Sequence, residues 1–176
     1  TDCVFIQSPK LRKLSSADKQ VGLAALPPTV RRLDLSESRL LEIGTGWFEH
    51  LSELRVMNLE FNNLKAIPAN AFRGLSKLKV LWVTGNHYSP DEPDYERMRA
   101  AGNNIAAIDK DAFAGLRNLQ VLLMHHNKVA SLDEHVFNGL DKLKVLKLLD
   151  NPVVAKLKKS NRIFDPIRRH CYQLDL

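Results

Sequence analysis

The neighbouring histidines His125 and His126 are the side chains whose type and spacing come nearest to a metal-binding pair. Imidazole is the commonest metal ligand in proteins, and with an ordinary pKa of about 6.5 a histidine also changes its charge near physiological pH. No cysteine or second histidine motif accompanies the pair, and adjacent residues of a strand face opposite ways. We therefore expect no metal site here, and a pH-sensitive contact at most.

Motifs of the common enzyme classes are absent from the sequence. It contains no glycine-rich phosphate loop, no G-x-S-x-G nucleophile turn and no H-E-x-x-H zinc motif. Its carboxylates are scattered, without a recognisable pair for acid–base chemistry. The sequence thus predicts a protein that is not an enzyme and needs no cofactor.

Positive charge is in excess, since 26 Lys and Arg outnumber 20 Asp and Glu and give a formal net charge of +6. One basic cluster near the end of the chain suits an anionic polymer such as a sulfated polysaccharide. Because the basic residues are not interleaved with aromatic ones, we do not expect a nucleic acid partner, and anion binding is kept as an alternative function. The cluster consists of Lys156, Lys158, Lys159, Arg162, Arg168 and Arg169.

An internal repeat must position these side chains. Residues 30–40 align with residues 54–64 at a shift of 24, and every apolar position matches. Further units open at Leu78, Leu119 and Leu143. Each unit has the pattern LxxLxLxxNxL, or its start, in which LxL is a short strand with alternate residues turned inward.

This pattern, followed by xxIxxxxFxxL, resembles the 24-residue extracellular type of leucine-rich repeat over about residues 23–153. The resemblance implies an α/β solenoid, a leucine-rich repeat horseshoe of about five to six coils with a parallel concave β-sheet. It also implies a ladder of side-chain hydrogen bonds after the strands and a stack of phenylalanines on the convex side. The ladder would contain Ser38, Asn62, Asn86, Asn127 and Asn151, and the stack Phe48, Phe72, Phe113 and Phe137.

The repeat divides the chain into an N-terminal cap (residues 1–29), the repeats (30–153) and a C-terminal cap (154–176). Each cap holds one cysteine, Cys3 or Cys171, where the family pattern has several. Coils stack about 4.8 Å apart, so five coils separate the caps by roughly 20–25 Å, whereas a disulfide needs Cα atoms within about 7 Å. We expect no Cys3–Cys171 disulfide within one chain; each cysteine is free, or one links to another chain. The last coil would be covered by Leu157, Ile163, Phe164 and Ile167.

The third coil contains a 17-residue insertion, which we assign to residues 87–103. Its removal would join Asn86 to Asn104 and restore a 24-residue coil. Loops longer than about 12–15 residues in a compact domain are usually functional or disordered. Because the insertion leaves the coil just after the strand and carries Tyr88 and Tyr95, we expect it to overhang the concave sheet as a binding segment; a tolerated surface insertion is the alternative.

The side chains that flank each LxL point out of the concave sheet, and around coils three and four they are unusually apolar. Large exposed apolar patches mark interaction sites, and tryptophan is enriched in binding hot spots. The valines among them also suit a structural role as sheet-forming residues. We predict a protein-binding groove formed by Val56, Asn58, Glu60, Phe61, Val80, Trp82, Thr84, Val121, Leu123, His125, His126, Val145, Lys147 and Leu149, with Tyr88 and Tyr95.

The sequence therefore predicts a recognition module that binds a protein ligand through the concave face and the segment 87–103. The alternative is a structural subunit whose apolar groove is covered by a partner subunit. No apolar run approaches the roughly 20 residues that span a bilayer, so we expect no transmembrane segment. The resemblance implies secreted or cell-surface relatives, among them receptor ectodomains and immune factors; a cytoplasmic or assembly-bound protein is the other possible location.

Overall fold

Seven short parallel strands lie side by side along one face of the protein. The computed structural model describes residues 22–85, 102–157 and 161–176 in full and residues 3–5 as a strand. The sheet runs in the order β1 (Cys3–Phe5), β2 (Arg32–Asp34), β3 (Val56–Asn58), β5 (Val80–Trp82), β7 (Val121–Leu123), β8 (Val145–Lys147) and β9 (Gln173–Asp175). On the returning side of the coils, β4 (Ala66–Ile67) pairs in parallel with β6 (Ala107–Ile108).

Each strand of the repeats is three residues long, and its middle residue turns inward. Met57 and Leu81 are fully buried, while their neighbours on either side are half-buried at the outer surface. Since coils two to five pair Val56 with Val80, Val80 with Val121 and Val121 with Val145, equivalent residues form straight columns across the sheet. The predicted parallel-sheet solenoid is confirmed, and it has about five turns.

The phenylalanine stack is also present. Phe48, Phe72, Phe113 and Phe137 are all fully buried, and the rings of Phe72 and Phe113 lie 6.2 Å apart with nearly parallel planes. Phe164 of the C-terminal cap continues the stack at 6.0 Å from Phe137. Each coil therefore buries one aromatic ring against the next and leaves little of it exposed to water.

The side-chain ladder contains Asn62, Asn127 and Asn151 as predicted, all of them buried. Asn62 shows the pattern: its Oδ1 accepts hydrogen bonds from the Ser38 and Leu40 amides of the preceding coil, at 3.1 and 3.0 Å. Its Nδ2 donates to backbone carbonyls of both coils. A buried amide that satisfies backbone groups of two coils holds their spacing, because each of those groups would otherwise be unpaired away from water.

The third coil corrects the predicted boundary of the insertion. Asn103, which the sequence analysis places inside the insertion, is fully buried and fills the ladder position. Its Nδ2 donates to the carbonyls of Leu59 (2.8 Å) and Thr84 (3.1 Å), and its Oδ1 accepts from the Leu64 amide (3.2 Å). Asn86, the predicted ladder residue, lies outside the described residues. The sequence shows a Gly-Asn pair at both ends of the insertion, and it contains no physical signal that chooses between them.

The C-terminal cap covers the last coil as predicted, since Ile163, Phe164 and Ile167 are buried and Leu157 packs partly buried against the core. Two short 3₁₀ helices, Pro152–Lys156 and Arg162–Phe164, lead to β9. This strand was not predicted from the sequence. Its signal is the LxxLxL spacing of Cys171, Leu174 and Leu176, in which cysteine occupies the first position.

The two cysteines belong to opposite edges of the sheet. Cys3 lies in β1, and Cys171 comes two residues before β9, where it is partly buried against the core. Six strand spacings of about 4.8 Å make roughly 29 Å between the two edges, which is four times the Cα separation of a disulfide. The geometry therefore excludes an intrachain bond between them.

Candidate functional site

The outward columns of the sheet bring the predicted apolar residues together. Trp82 is the direct neighbour of Leu123 in the central column, with Asn58 on one side and Lys147 on the other. The valines of β3, β5, β7 and β8 form the adjacent column and are half-buried. Because the strands are about 4.8 Å apart, the indole of Trp82 and the Leu123 side chain share one surface with the valines. This surface, which we call the apolar patch, is formed by Val56, Val80, Trp82, Val121, Leu123 and Val145.

Polar side chains border the apolar patch on both sides. Toward β2, the Asn58 side-chain oxygen accepts a hydrogen bond from the Glu60 amide at 2.9 Å, and Asp34 does the same for Ser36. Toward the C-terminus, Lys147 pairs with Asp175 at 3.5 Å. The patch therefore ends where charged and hydrogen-bonded residues begin, which is the layout of an interface core with a polar rim.

Thr84 does not lie at the surface, contrary to the prediction, since only 6% of it is exposed. Its hydroxyl is buried against the neighbouring coil, toward the Glu60 carboxyl, instead of facing solvent. Glu60 is itself half-buried, and this burial raises the pKa of its carboxyl, with a smaller contribution from Asp34, while the Thr84 hydroxyl opposes the shift. Glu60 therefore gains a proton more readily than an exposed glutamate.

The two histidines lie closer together than strand geometry predicts. His126 has a left-handed backbone (φ 57°), as does Phe61 at the same position of the second coil. This turn brings the His125 and His126 rings to 4.8 Å in an edge-on contact, and His126 Nδ1 lies 2.8 Å from a carboxylate oxygen of Asp150. Among the described residues, no three potential ligands gather into a metal site. Leu149, the last predicted residue of this region, is 47% exposed.

Sequence reasoning missed a groove at the rim of the sheet where the strands begin. Arg31, Arg55 and Lys79 each occupy the position just before a strand. The Arg55 amide donates to the Arg31 carbonyl and the Lys79 amide donates to the Arg55 carbonyl, both at 2.8 Å. Together with Arg32 they line a groove of about 380 Å³ whose apolar lining is Val56 and Val80. The sequence contains a signal for this groove, because Arg31, Arg55 and Lys79 recur at 24-residue intervals, each directly after the apolar residue that opens its repeat.

The predicted basic cluster of the C-terminal cap is only partly described. Lys156, Arg162 and Arg169 are exposed, whereas Lys158 and Lys159 lie outside the described residues. Arg168 is engaged within the cap, at 3.0 Å from the Asp165 carboxylate and 2.9 Å from the Asn161 carbonyl. Tyr88 and Tyr95, assigned to the groove, also lie outside the described residues, as does most of the insertion. The described part of the chain contains no helix with the length and apolarity to cross a membrane.

Comparison with known proteins gives the same architecture. The leucine rich repeat family profile matches residues 28–87 and 99–153, which leaves unmatched a stretch inside the predicted insertion. Human leucine-rich repeat-containing protein 4C is 48% identical over 67 residues, or 38% of this chain and 10% of the relative. Rat amphoterin-induced protein 3 is 40% identical over 58 residues, or 33% of this chain and 11% of the relative. The chain thus spans about a tenth of the length of these relatives.

Solved structures agree on the fold. A crystal structure of a TLR13–ssRNA13 complex superimposes with a TM-score of 0.57 at 27% identity, covering 70% of this chain and 15% of that one. A leucine-rich repeat protein of Leptospira interrogans superimposes with a TM-score of 0.53 at 23% identity, covering 70% and 26%. Proteins of this type are typically protein–protein interaction modules. With the profile matching well over half of its residues and the coils, ladder and aromatic stack in place, the chain belongs to the leucine-rich repeat family.

Proposed function

We propose that this protein is a non-enzymatic recognition module that binds a protein ligand through its concave sheet and the inserted segment. The observation that carries the proposal is the apolar patch, in which Trp82 and Leu123 stand side by side at the centre of a sheet otherwise bordered by polar residues. Apolar side chains grouped on a water-facing surface gain free energy when a partner covers them. Tryptophan supplies the largest such contact and is enriched in binding hot spots.

The inserted segment adds to the same site. The residues that flank it, Gly85 and Asn103, pair with each other, and Gly85 lies beside the His126 backbone, three residues after Trp82, the last residue of β5. The segment between them therefore begins and ends next to the apolar patch. We propose that it contributes contacts to the ligand, with Tyr88 and Tyr95 as its aromatic residues.

The test is a binding experiment on a partner captured with the wild-type protein. We expect Trp82→Ala to weaken binding at least tenfold, since removing a central hot-spot residue costs about 2 kcal/mol or more. Leu41→Ala is the matched control, because Leu41 is 63% exposed and lies outside the concave sheet. A variant that lacks the insertion is tested in the same binding experiment. Deletion of residues 86–102 and deletion of residues 87–103 give the same sequence, in which one Asn remains for the ladder. The proposal fails if Trp82→Ala and the deletion both leave binding unchanged.

The structural-subunit alternative makes the opposite prediction for the isolated chain. A recognition module that meets its ligand transiently stays monodisperse at micromolar concentration, whereas a subunit whose groove is always covered aggregates without its partner. Light scattering of the purified chain separates the two.

We also propose a secreted or cell-surface location and a receptor-like role, which the repeat subtype supports. One further relative is named adenylate cyclase, from Schizosaccharomyces pombe, but the 59 matched residues are 4% of that protein. A match over so small a part of that protein is compatible with a non-enzymatic module. The anion-binding alternative through the C-terminal cap predicts binding to heparin that charge reversal at Arg162 and Arg169 abolishes.

A further inference from the structure

The groove at the start of β2, β3 and β5 combines a basic wall with an apolar floor. Its cationic residues are Arg31, Arg32, Arg55 and Lys79, and the described lining contains no carboxylate. Arg32, Arg55 and Lys79 are exposed. We call these four residues the basic rim. Like charges held this close repel one another, so an anionic partner that neutralises them gains free energy.

Backbone hydrogen bonds hold the basic rim in place. The Arg31 carbonyl accepts from the amides of both Arg55 and Val56, and the Arg55 carbonyl accepts in the same way from Lys79 and Val80. Each basic residue therefore starts one strand spacing, about 4.8 Å, from the next. The rim is a fixed feature of the coil stack and costs little ordering of the backbone when a partner binds.

The Glu53 carboxylate lies near the rim. It forms an ion pair with Lys77, and the hydrogen bond from Lys77, with the positive charges of Lys77, Arg31 and Arg55, lowers the pKa of this carboxyl. Since the Glu53 carboxylate is held by Lys77, it offsets only part of the positive charge. The exposed rim residues Arg32, Arg55 and Lys79 therefore keep a net positive charge among the described residues.

We propose that the basic rim binds an acidic segment of the protein ligand, in extended conformation, whose apolar residues rest on the adjoining valines. The proposal rests on the proposed recognition function and names the chemistry of the partner. Arg31, Arg55 and Lys79 belong to three consecutive coils, so they extend over two strand spacings, or roughly 10 Å. About three residues of an extended peptide cover the same distance, at about 3.3 Å per residue. Alternating acidic and apolar side chains would face the basic wall and the apolar floor respectively.

A short acidic peptide fits this groove better than a long anionic polymer. The next row of the rim is the neutral Gln120, which interrupts the cationic residues between Lys79 and Lys144. A sulfated polysaccharide or a nucleic acid would have no aliphatic side chains for Val56 and Val80. The described lining also offers no aromatic ring on which a base would stack.

The probe is a fluorescein-labelled octapeptide that alternates glutamate with valine, and its control is the same peptide with glutamine for glutamate. By fluorescence anisotropy we expect the acidic peptide to bind at least tenfold more tightly than its control, and more weakly as salt rises. The double variant Arg55→Glu/Lys79→Glu should lose at least tenfold in affinity. The matched control Lys65→Glu/Lys110→Glu has the same change of charge at exposed residues flanking β4 and β6, and it should bind within twofold of wild type.

The other occupants are tested by competition with a size-matched heparin fragment and a single-stranded oligonucleotide. The proposal is overturned if wild type and Arg55→Glu/Lys79→Glu bind the acidic peptide with equal affinity. It is also overturned if heparin or the oligonucleotide binds more tightly than the peptide and this binding is lost in Arg55→Glu/Lys79→Glu. Trp82→Ala reports on the proposed function separately. A captured partner that depends on Trp82 but tolerates the reversed rim refutes the acidic segment and leaves the recognition function standing. A partner whose binding is unchanged by Trp82→Ala, by deletion of the insertion and by the reversed rim removes both proposals.

Discussion

The position of Asn103 makes a prediction about two asparagines that look equivalent in the sequence. Both follow a glycine, and either completes the repeat pattern of the third coil. Because the ladder of that coil has room for one amide, and Asn103 is fully buried there, we expect Asn103→Ala to destabilise the protein and Asn86→Ala to leave it nearly unchanged.

The magnitude follows from the three hydrogen bonds of Asn103, which involve the backbone of Leu59, Leu64 and Thr84. At about 1 kcal/mol net for each bond, Asn103→Ala should lower the free energy of unfolding by about 3 kcal/mol. That is a large part of the 5–15 kcal/mol typical of a folded domain. Asn103→Asp should cost at least as much, because a carboxylate is similar in shape but cannot donate to the two carbonyls.

Urea unfolding followed by far-UV circular dichroism measures the effect. With an m-value of about 2 kcal/mol/M, the midpoint of Asn103→Ala should fall by about 1.5 M, whereas that of Asn86→Ala should move by no more than about 0.25 M. The reasoning is refuted if the two alanine variants lose equal stability, or if only the double variant is destabilised. The latter result would mean that either asparagine fills the ladder equally well.

Three further outcomes are expected. Gly85→Ala should destabilise the protein by about 1–3 kcal/mol, because a Cβ there would collide with the His126 carbonyl oxygen, while Gly22→Ala, with open space around it, should be neutral in the same unfolding assay. The raised pKa of Glu60 means that the wild-type protein loses stability as pH rises from about 4.3, the ordinary pKa of glutamate, through the pKa of Glu60 in the folded protein. Glu60→Gln, which does not titrate, should therefore gain stability relative to wild type over this range and keep that gain at higher pH. A constant difference between the two proteins from pH 4 to 7 would contradict the burial of Glu60. Burial raises the pKa of the Cys171 thiol, so in a Cys3→Ser variant this thiol should react more slowly with Ellman's reagent at pH 8 in the folded protein than after unfolding in guanidinium. Equal rates would contradict the packing of Cys171.

Much of the fold was predictable because a repeat states the same physical requirement several times. Leucine or another aliphatic residue at the first, fourth and sixth positions of each unit, and phenylalanine on the returning side, can only be buried if coils stack in register. Trp82 and Leu123 become neighbours by the same logic, since equivalent positions of consecutive coils must lie side by side in a parallel sheet. The outward positions within the strands therefore follow from the repeat spacing. The spacing does not decide whether a residue beyond the strand, such as Thr84, is buried.

The sequence by itself determined the period, the inward and outward columns, and hence the apolar patch, because these depend on which residue types recur every 24 positions. Only the tertiary structure decided between Asn86 and Asn103, since two identical Gly-Asn pairs have the same local preferences and differ only in the hydrogen bonds that neighbouring coils offer. It also decided that Thr84 is turned away from solvent against Glu60 and that a left-handed backbone at His126 brings two histidine rings together. The groove beside the sheet likewise depends on the lateral alignment of neighbouring coils, which backbone hydrogen bonds between residues some 24 positions apart establish.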